Sequence, residues 1–216
     1  FPSVAWGSRL LCAVVALLGV RSITVLTAFA LAVLIVSAIV RHAHATARSR
    51  PESYWRAVAG LYRSDPGYWG GMVSHVGVAL VAVAIAFSGS FDSRDTITLG
   101  LGQSAAFAGY TLTYVGSFLN EEGHRTVIGA TIALSRGGSD LGHLRPALTQ
   151  YPNQVQAIPT PSVHTGLRED VYLSLVRIEE GSERVTIDAY RFPLMWLLWL
   201  GGLIVVTGGA LSFVGR

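Results

Sequence analysis

The sequence predicts a membrane α-helical protein with four spans and one all-β domain, a small barrel or a sandwich, outside the membrane. Hydrophobic residues account for 51% of the 216 residues and charged residues for only 13%, whereas a soluble domain carries roughly 25% charged residues. The apolar residues cluster in four runs, and a polar segment of about one hundred residues separates the third run from the fourth. This layout is typical of a multi-span membrane protein with one extramembrane domain.

The apolar runs define the expected organisation of the chain. The first run, residues 4–20, has marginal length for a span, whereas the run from Ile23 to Val40 carries no charge and is long enough to cross most of a ~30 Å hydrocarbon core. Because the chain begins at Phe1 rather than Met, we expect it to be a piece of a longer protein. The expected segments are two transmembrane helices in 1–40, a cytoplasmic loop with an amphipathic helix in 41–69, a transmembrane helix in 70–88, a periplasmic β-rich domain in 89–191 and a C-terminal transmembrane helix in 192–216.

The distribution of arginine predicts the orientation. All sixteen cationic residues are arginine. Residues 41–70 contain five arginines and two acidic residues, whereas residues 89–191 contain eight arginines and eleven acidic residues. Short loops rich in Lys or Arg stay in the cytoplasm, so we expect 41–69 inside the bacterial inner membrane and 89–191 outside it. The net charge of +3 then reflects orientation and gives no indication of nucleic-acid binding, since no basic patch alternates with aromatic residues.

The cysteine content excludes one kind of site. The single cysteine, Cys12, lies in the first apolar run, and a CxxCH motif for covalent haem needs two. We therefore expect no covalent c-type haem on this chain.

The loop after the second apolar run contains apolar residues at helical spacing, which predicts a short amphipathic helix. This helix lies either on the cytoplasmic membrane surface or against other parts of the same protein, and the sequence leaves both open. The apolar stripe consists of Trp55, Val58, Ala59, Leu61 and Tyr62, with Arg56 and Arg63 off the stripe.

The polar middle of the chain shows the alternation of apolar and polar residues that is typical of strands. A segment of this length with five or more short strands is enough for a small barrel or sandwich. Residues 141–167 contain four prolines, and we expect an extended loop there. The alternating stretches are Ile97 to Leu99, Tyr110 to Tyr114, Ala130 to Leu134, Val171 to Ile178 and Arg184 to Tyr190.

His75 is the candidate functional residue of the third span, where it lies roughly 7 Å from the cytoplasmic end at the helical rise. Ionisable residues within a span usually face the protein interior or a cavity. Gly71 at i−4, Ala79 at i+4 and Ala82 at i+7 share a helix face with His75 and predict a groove that a flat ligand such as a porphyrin, or another helix, can approach. Neutral imidazole is a good haem-iron ligand. Two interpretations of His75 stay open. It is either a ligand or proton relay, or a residue that packs between helices.

The other histidines lack metal-ligand spacing. They are His42, His44, His124, His143 and His164.

Several stretches share their order and spacing with one known family. They are Leu61-Tyr62-Arg63, the run Gly70-Gly71-Met72-Val73-Ser74-His75-Val76-Gly77-Val78-Ala79, the link Gly19-Val20-Arg21-Ser22, the stretch from Leu144 to Tyr151, the segment Glu169 to Leu175 and the segment Pro193 to Gly209. In these stretches the sequence resembles the C-terminal part of CcmF, the haem lyase of cytochrome c-type biogenesis, within a family that includes NrfE and CcsA-like proteins. The resemblance covers almost the whole chain.

The resemblance implies an integral membrane subunit that takes haem from a periplasmic holo haem chaperone. With other cytochrome c maturation subunits, such a protein joins haem to the CxxCH thiols of apocytochrome c. It also implies a membrane haem b between two histidines, with His75 as one axial ligand and the second outside this chain. Because that second ligand is missing here, we expect no haem lyase activity from this segment alone. Arg145, Arg168 and Arg177 are candidates for contacting carboxylates or propionates.

Two other functions fit the same layout. One is a membrane transporter subunit for haem or another small molecule, and the other is a membrane-anchored periplasmic interaction module in which His75 only packs. A family member dedicated to nitrite reductase maturation is a further option, since the surfaces that choose the substrate cannot be read from the sequence.

Overall fold

The computed structural model describes residues 22–152, 154, 156–179 and 183–214. The first predicted span, residues 4–20, lies outside the described residues. The chain divides into a helical unit, which ends at Ser90 and resumes at Leu194, and a β unit from Phe91 to Pro193.

Three helices in the described part of the chain are long and apolar enough to cross a membrane. A shorter helix lies between the first two of them in the sequence. The helices are α1 (Ile23–Arg48), α2 (Tyr54–Ser64), α3 (Pro66–Ser90) and α4 (Met195–Val214), of which α1, α3 and α4 are the candidate spans.

The helix bounds differ from the sequence expectation at three places. The first described helix continues past residue 40 to Arg48, so that part of the expected loop is helical. α3 begins at Pro66 because proline suits the first helical turn and the Asp65 carboxylate accepts the Tyr68 N–H at 2.9 Å, which caps the helix. α4 begins only at Met195, since the preceding residues complete the last strand.

α1 and α3 run antiparallel. The hydroxyl groups of Ser22 and Ser90 are 2.9 Å apart, which joins the start of α1 to the end of α3. Near the other end, the His42 ring stacks on Trp69 with centroids 5.7 Å apart. These two contacts fix the direction of one helix against the other.

α3 and α4 touch through glycine. A Cβ atom built on Gly70 would lie 2.7 Å from the Gly208 carbonyl oxygen, and one built on Gly77 would lie 2.6 Å from the Gly201 carbonyl oxygen. Small residues of this kind let the backbones of membrane helices approach closely. The pairing of Gly70 with Gly208 and of Gly77 with Gly201 shows that the helices are antiparallel.

Hydroxyl groups reinforce this glycine contact. The Ser74 hydroxyl of α3 donates to the Val205 carbonyl of α4 at 3.1 Å. The Ser212 hydroxyl of α4 donates in return to the Gly67 carbonyl at 2.8 Å. The two helices are thus joined by packing and by hydrogen bonds in both directions.

α2 confirms the predicted amphipathic helix and packs on its own protein. Ala57 and Leu61 are buried, and the Tyr62 hydroxyl donates to the Leu211 carbonyl of α4 at 2.9 Å. Trp55, which belongs to the predicted apolar stripe, remains 79% exposed. The contacts support packing against the same protein, but the buried face differs from the predicted stripe, since Ala57 lies outside that stripe and Ala59 within it is exposed.

The β unit is all antiparallel and forms two sheets. One sheet has the strand order β1-β10-β9-β8, and the other has the order β2-β3-β4-β6-β7 with β5 paired to β4. The strands are β1 (Ser93–Gly100), β2 (Ser104–Phe107), β3 (Tyr110–Glu122), β4 (Arg125–Arg136), β5 (Ser139–Leu144), β6 (Ala147–Gln150), β7 (Ile158–Thr160), β8 (Ser162–His164), β9 (Glu169–Glu179) and β10 (Arg184–Pro193).

The expectation of an extended loop over residues 141–167 is wrong. This region contributes the end of β5 and the whole of β6, β7 and β8. Its prolines are compatible with strands because Pro159 lies in β7 at the edge of its sheet, where a missing N–H removes no inner ladder bond.

The alternating residues predicted for the sheets form the core of the β unit. Their side chains come from both sheets and are buried together, which confirms the period-two interpretation of these stretches. The buried set includes Ile97, Leu99, Leu112, Tyr114, Ile132, Leu134, Val171, Leu173, Val185 and Ile187.

We predict that Gly208→Val destabilises the helical unit, because the added side chain meets the Ser74 backbone nitrogen 2.5 Å from the new Cβ. Overpacking of this kind costs about 1–3 kcal/mol. Gly209→Val is the matched control, since a Cβ there meets nothing within 4 Å. Thermal unfolding of the purified full-length protein in detergent gives the melting temperature of each variant. Equal melting temperatures for Gly208→Val and Gly209→Val would contradict the glycine contact.

Candidate functional site

His75 lies on an exposed face of α3 within the helical unit. Its Nδ1 atom is 2.7 Å from the carbonyl oxygen of Gly71, one turn earlier in the same helix. When Nδ1 carries the proton, it donates to that carbonyl and the lone pair of Nε2 is available. A histidine held in this way through one nitrogen is prepared to bind a metal through the other.

The space beside His75 is open on one side. A Cβ atom on Gly71 would meet no atom of the described residues within 4 Å, and Ala82, two turns beyond His75, is exposed. Ala79 differs because it is only 3% exposed. The structure thus leaves the predicted groove open at Gly71 and Ala82, whereas Ala79 is packed inside the helical unit and does not belong to the open face.

The contact between α3 and α4 uses a different side of α3. Gly70 and Gly77 approach α4, and the side chain that bonds across to it is that of Ser74. The hydrogen bond of His75 stays within its own helix. The small residues of α3 therefore form two stripes, one covered by α4 and one that carries His75.

The other histidines lie elsewhere. His42 contacts the rings of Tyr68 and Trp69, and the Nδ1 atom of His44 is 2.8 Å from the Tyr54 hydroxyl. His124 and His143 are exposed on the β unit, and His164 is half-buried in β8. Among the described residues, no three His, Cys, Asp or Glu side chains are grouped closely enough to hold a metal ion.

Comparison with known proteins finds related sequences of one kind. The chain is 27% identical over 160 residues to the cytochrome c-type biogenesis protein CcmF of Pseudomonas aeruginosa, covering 74% of this chain and 24% of the relative. It is 29% identical over 167 residues to CcmF of Haemophilus influenzae, covering 76% of this chain and 25% of the relative. This chain is related to CcmF. No protein-family model matches it.

A solved structure of the cytochrome c haem lyase CcmF has the same fold. It superposes with a TM-score of 0.79 over 95% of this chain and 33% of that chain, at 21% sequence identity. The chain spans about a quarter of the length of the CcmF sequences that it matches. Together with the three apolar helices, these relatives support a multi-pass membrane protein.

The β unit of this CcmF relative contains a buried carboxylate that the sequence did not single out. Glu169 of β9 accepts hydrogen bonds from the Tyr110 hydroxyl at 3.0 Å, from Arg136 at 2.8 Å and from Arg191 at 3.4 Å. The Glu169 side chain is only 10% exposed. Burial, and then the adjacent Glu169 carboxylate, raise the pKa of Tyr110 above its ordinary value. The cluster joins β9 and β10 of one sheet to β3 and β4 of the other.

Two of the three arginines considered for contacts with carboxylates or propionates already have partners. The Arg145 guanidinium stacks on the Phe118 ring at 4.1 Å from its centroid, and Arg177 pairs with Glu179 at 3.4 Å. Arg168 is exposed. These contacts favour roles within the β unit for the first two arginines.

We predict that Glu169→Gln destabilises the β unit by about 1.5–3 kcal/mol, because the hydrogen bonds of a charged acceptor are lost and two guanidinium groups remain without their carboxylate. Glu121→Gln, at an exposed position of β3, is the matched control and should change the stability by less than about 0.5 kcal/mol. Chemical denaturation followed by tyrosine fluorescence measures the difference. A Glu169 variant as stable as the control would show that the cluster contributes nothing.

Proposed function

We propose that this chain is the C-terminal portion of a cytochrome c maturation haem lyase subunit. In this role it aids the delivery of haem and its covalent attachment to the CxxCH thiols of apocytochrome c, and it binds a membrane haem b. The relatives named for cytochrome c-type biogenesis support the process, and the fold of CcmF supports the architecture. The lyase reaction itself would require the rest of the protein.

One observation carries the haem b part of the proposal. His75 is an exposed imidazole on an apolar helix, with its Nδ1 held by the Gly71 carbonyl at 2.7 Å and with open space above Gly71. A porphyrin needs a free imidazole nitrogen and a flat apolar surface without bulky side chains. His75 offers the nitrogen, and the small exposed positions Gly71 and Ala82 leave room beside it, so the residues fit the group.

The residues would act on haem b in distinct ways. His75 would hold the iron through its free nitrogen, the Gly71 carbonyl would keep the imidazole in the required tautomer and orientation, and Gly71 and Ala82 would leave room for the ring. The second axial ligand would come from outside this chain. When bound, haem b would supply one-electron transfer, which keeps the haem that is to be attached in its reduced form.

The proposed location is the bacterial inner membrane. The end of the helical unit that carries α2 also carries Arg48, Arg56 and Arg63, which favours the cytoplasmic side for this end. We therefore place 41–69 in the cytoplasm and the β unit in the periplasm. There the β unit would meet the holo haem chaperone, apocytochrome c and other maturation subunits.

We predict that His75→Ala in the full-length protein removes haem b, because the iron would lose the nitrogen that His75 supplies. The visible absorption of the purified protein, relative to protein concentration, should fall by more than about tenfold. His143→Ala, at an exposed position of the β unit, is the control and should retain the spectrum. Normal haem b content in the His75 variant would refute the ligand assignment.

A second variant separates ligation from folding. His75→Gly should lose the low-spin haem spectrum and recover it when free imidazole is added, since imidazole can occupy the vacated position. Recovery requires a folded site, whereas an unfolded protein would not respond.

We further predict that Gly71→Leu preserves the fold but lowers haem b content. The new side chain has space within the protein, because a Cβ on Gly71 meets nothing within 4 Å, yet it covers the surface on which a ring would rest. The ratio of haem absorbance to protein and the melting temperature are measured on the same sample. Full haem content with an unchanged melting temperature would place the ring on another face of α3.

A further inference from the structure

Three arginines line one cleft beside α2 in the helical unit. They are Arg50, Arg56 and Arg63, and Gly60 lies between them. Glu52 is the acid that also lines the cleft. No arginine of the three forms an ion pair in the described part of the chain, so three guanidinium groups face one unpaired carboxylate.

The spacing of residues on α2 and a glycine at position 60 account for this cleft. Arg56, Gly60 and Arg63 follow each other at i, i+4 and i+7 and therefore share one face of α2. Arg50 comes from the segment before α2, and its Nη1 atom lies 3.3 Å from the position of a Cβ on Gly60. The missing side chain at Gly60 leaves the room in which the Arg50 guanidinium lies across the helix.

The cleft also lies at the level where the apolar helices end. α2 follows the C-terminal end of α1 and precedes the first turn of α3, and Tyr62 ties it to the C-terminal part of α4. On α2 itself, Trp55 is 79% exposed, and exposed tryptophan is enriched at the interface between lipid and water. In a membrane, this position at the ends of the apolar helices would bring the three guanidinium groups to the level of the lipid headgroups.

We infer that this cleft binds the phosphate of an anionic phospholipid headgroup. Guanidinium groups match phosphate oxygens through paired hydrogen bonds, and basic pockets beside membrane helices bind acidic headgroups. Three positive charges held together with a single carboxylate, Glu52, repel one another, and a bound phosphate reduces that repulsion. The exposed Trp55 ring on the same helix favours a headgroup attached to acyl chains over a free anion.

The test uses the full-length protein in nanodiscs that contain phosphatidylcholine with increasing fractions of phosphatidylglycerol. After transfer to detergent, mass spectrometry measures the number of each lipid retained per protein. We expect the wild-type protein to retain phosphatidylglycerol in preference to phosphatidylcholine. Arg56→Gln with Arg63→Gln should lower that preference by about fivefold for each charge removed.

Two further variants make the result specific. Arg41→Gln with Arg184→Gln removes the same net charge outside the cleft and should change the preference by less than about twofold. Arg56→Lys with Arg63→Lys keeps the charge and should retain most of the lipid, which shows that the protein is folded. The proposal would be overturned if Arg41→Gln with Arg184→Gln lowered the preference for phosphatidylglycerol as much as the cleft variant does. It would also be overturned if the wild-type protein showed no preference between the two lipids.

Inorganic phosphate distinguishes the two sources of the anion. Added at the same concentration as phosphatidylglycerol, it should not displace the retained lipid from the wild-type protein. Displacement would overturn the lipid assignment and identify a site for a free anion.

Discussion

The close contact between α3 and α4 is the constraint on which the helical unit depends. Gly70 and Gly77 on one helix meet Gly208 and Gly201 on the other at distances that no side chain would allow. Within a bilayer the hydrophobic effect does not drive helices together, so packing and hydrogen bonds must do so. The hydroxyl of Ser74 adds a bond to the same surface. These contacts decide which side of α3 is covered and which side stays exposed.

The exposure of His75 follows from which side of α3 is covered by α4. Because α4 covers the stripe of Gly70, Ser74 and Gly77, the neighbouring stripe of Gly71, His75 and Ala82 stays open. One residue of shift along a helix changes the direction of a side chain by about 100°. Two adjacent glycines, Gly70 and Gly71, thus serve different purposes, the first to admit a helix and the second to leave space beside an imidazole.

The sequence predicted the elements better than their contacts. Uninterrupted apolar runs indicated the membrane helices, and alternation indicated the long strands whose inward residues form the core. The short strands between 141 and 167 were missed because three or four residues are too few to show a period of two. The Glu169 cluster was missed because its partners Tyr110, Arg136 and Arg191 come from three other strands. Which stripe of α3 is covered cannot be read from composition, since small residues occur in both.

The pairing of β1 with β10 joins the first and last strands of the β unit. These strands run side by side from the pair Ser93 and Arg191 to the pair Gly100 and Arg184, so the chain enters and leaves the unit on neighbouring strands. Near the same two junctions, the Ser88 hydroxyl contacts the Met195 sulfur at 3.6 Å. A unit whose first and last strands pair with each other can gain or lose residues in its other loops without changing the spacing between the two strands that join it to the helices.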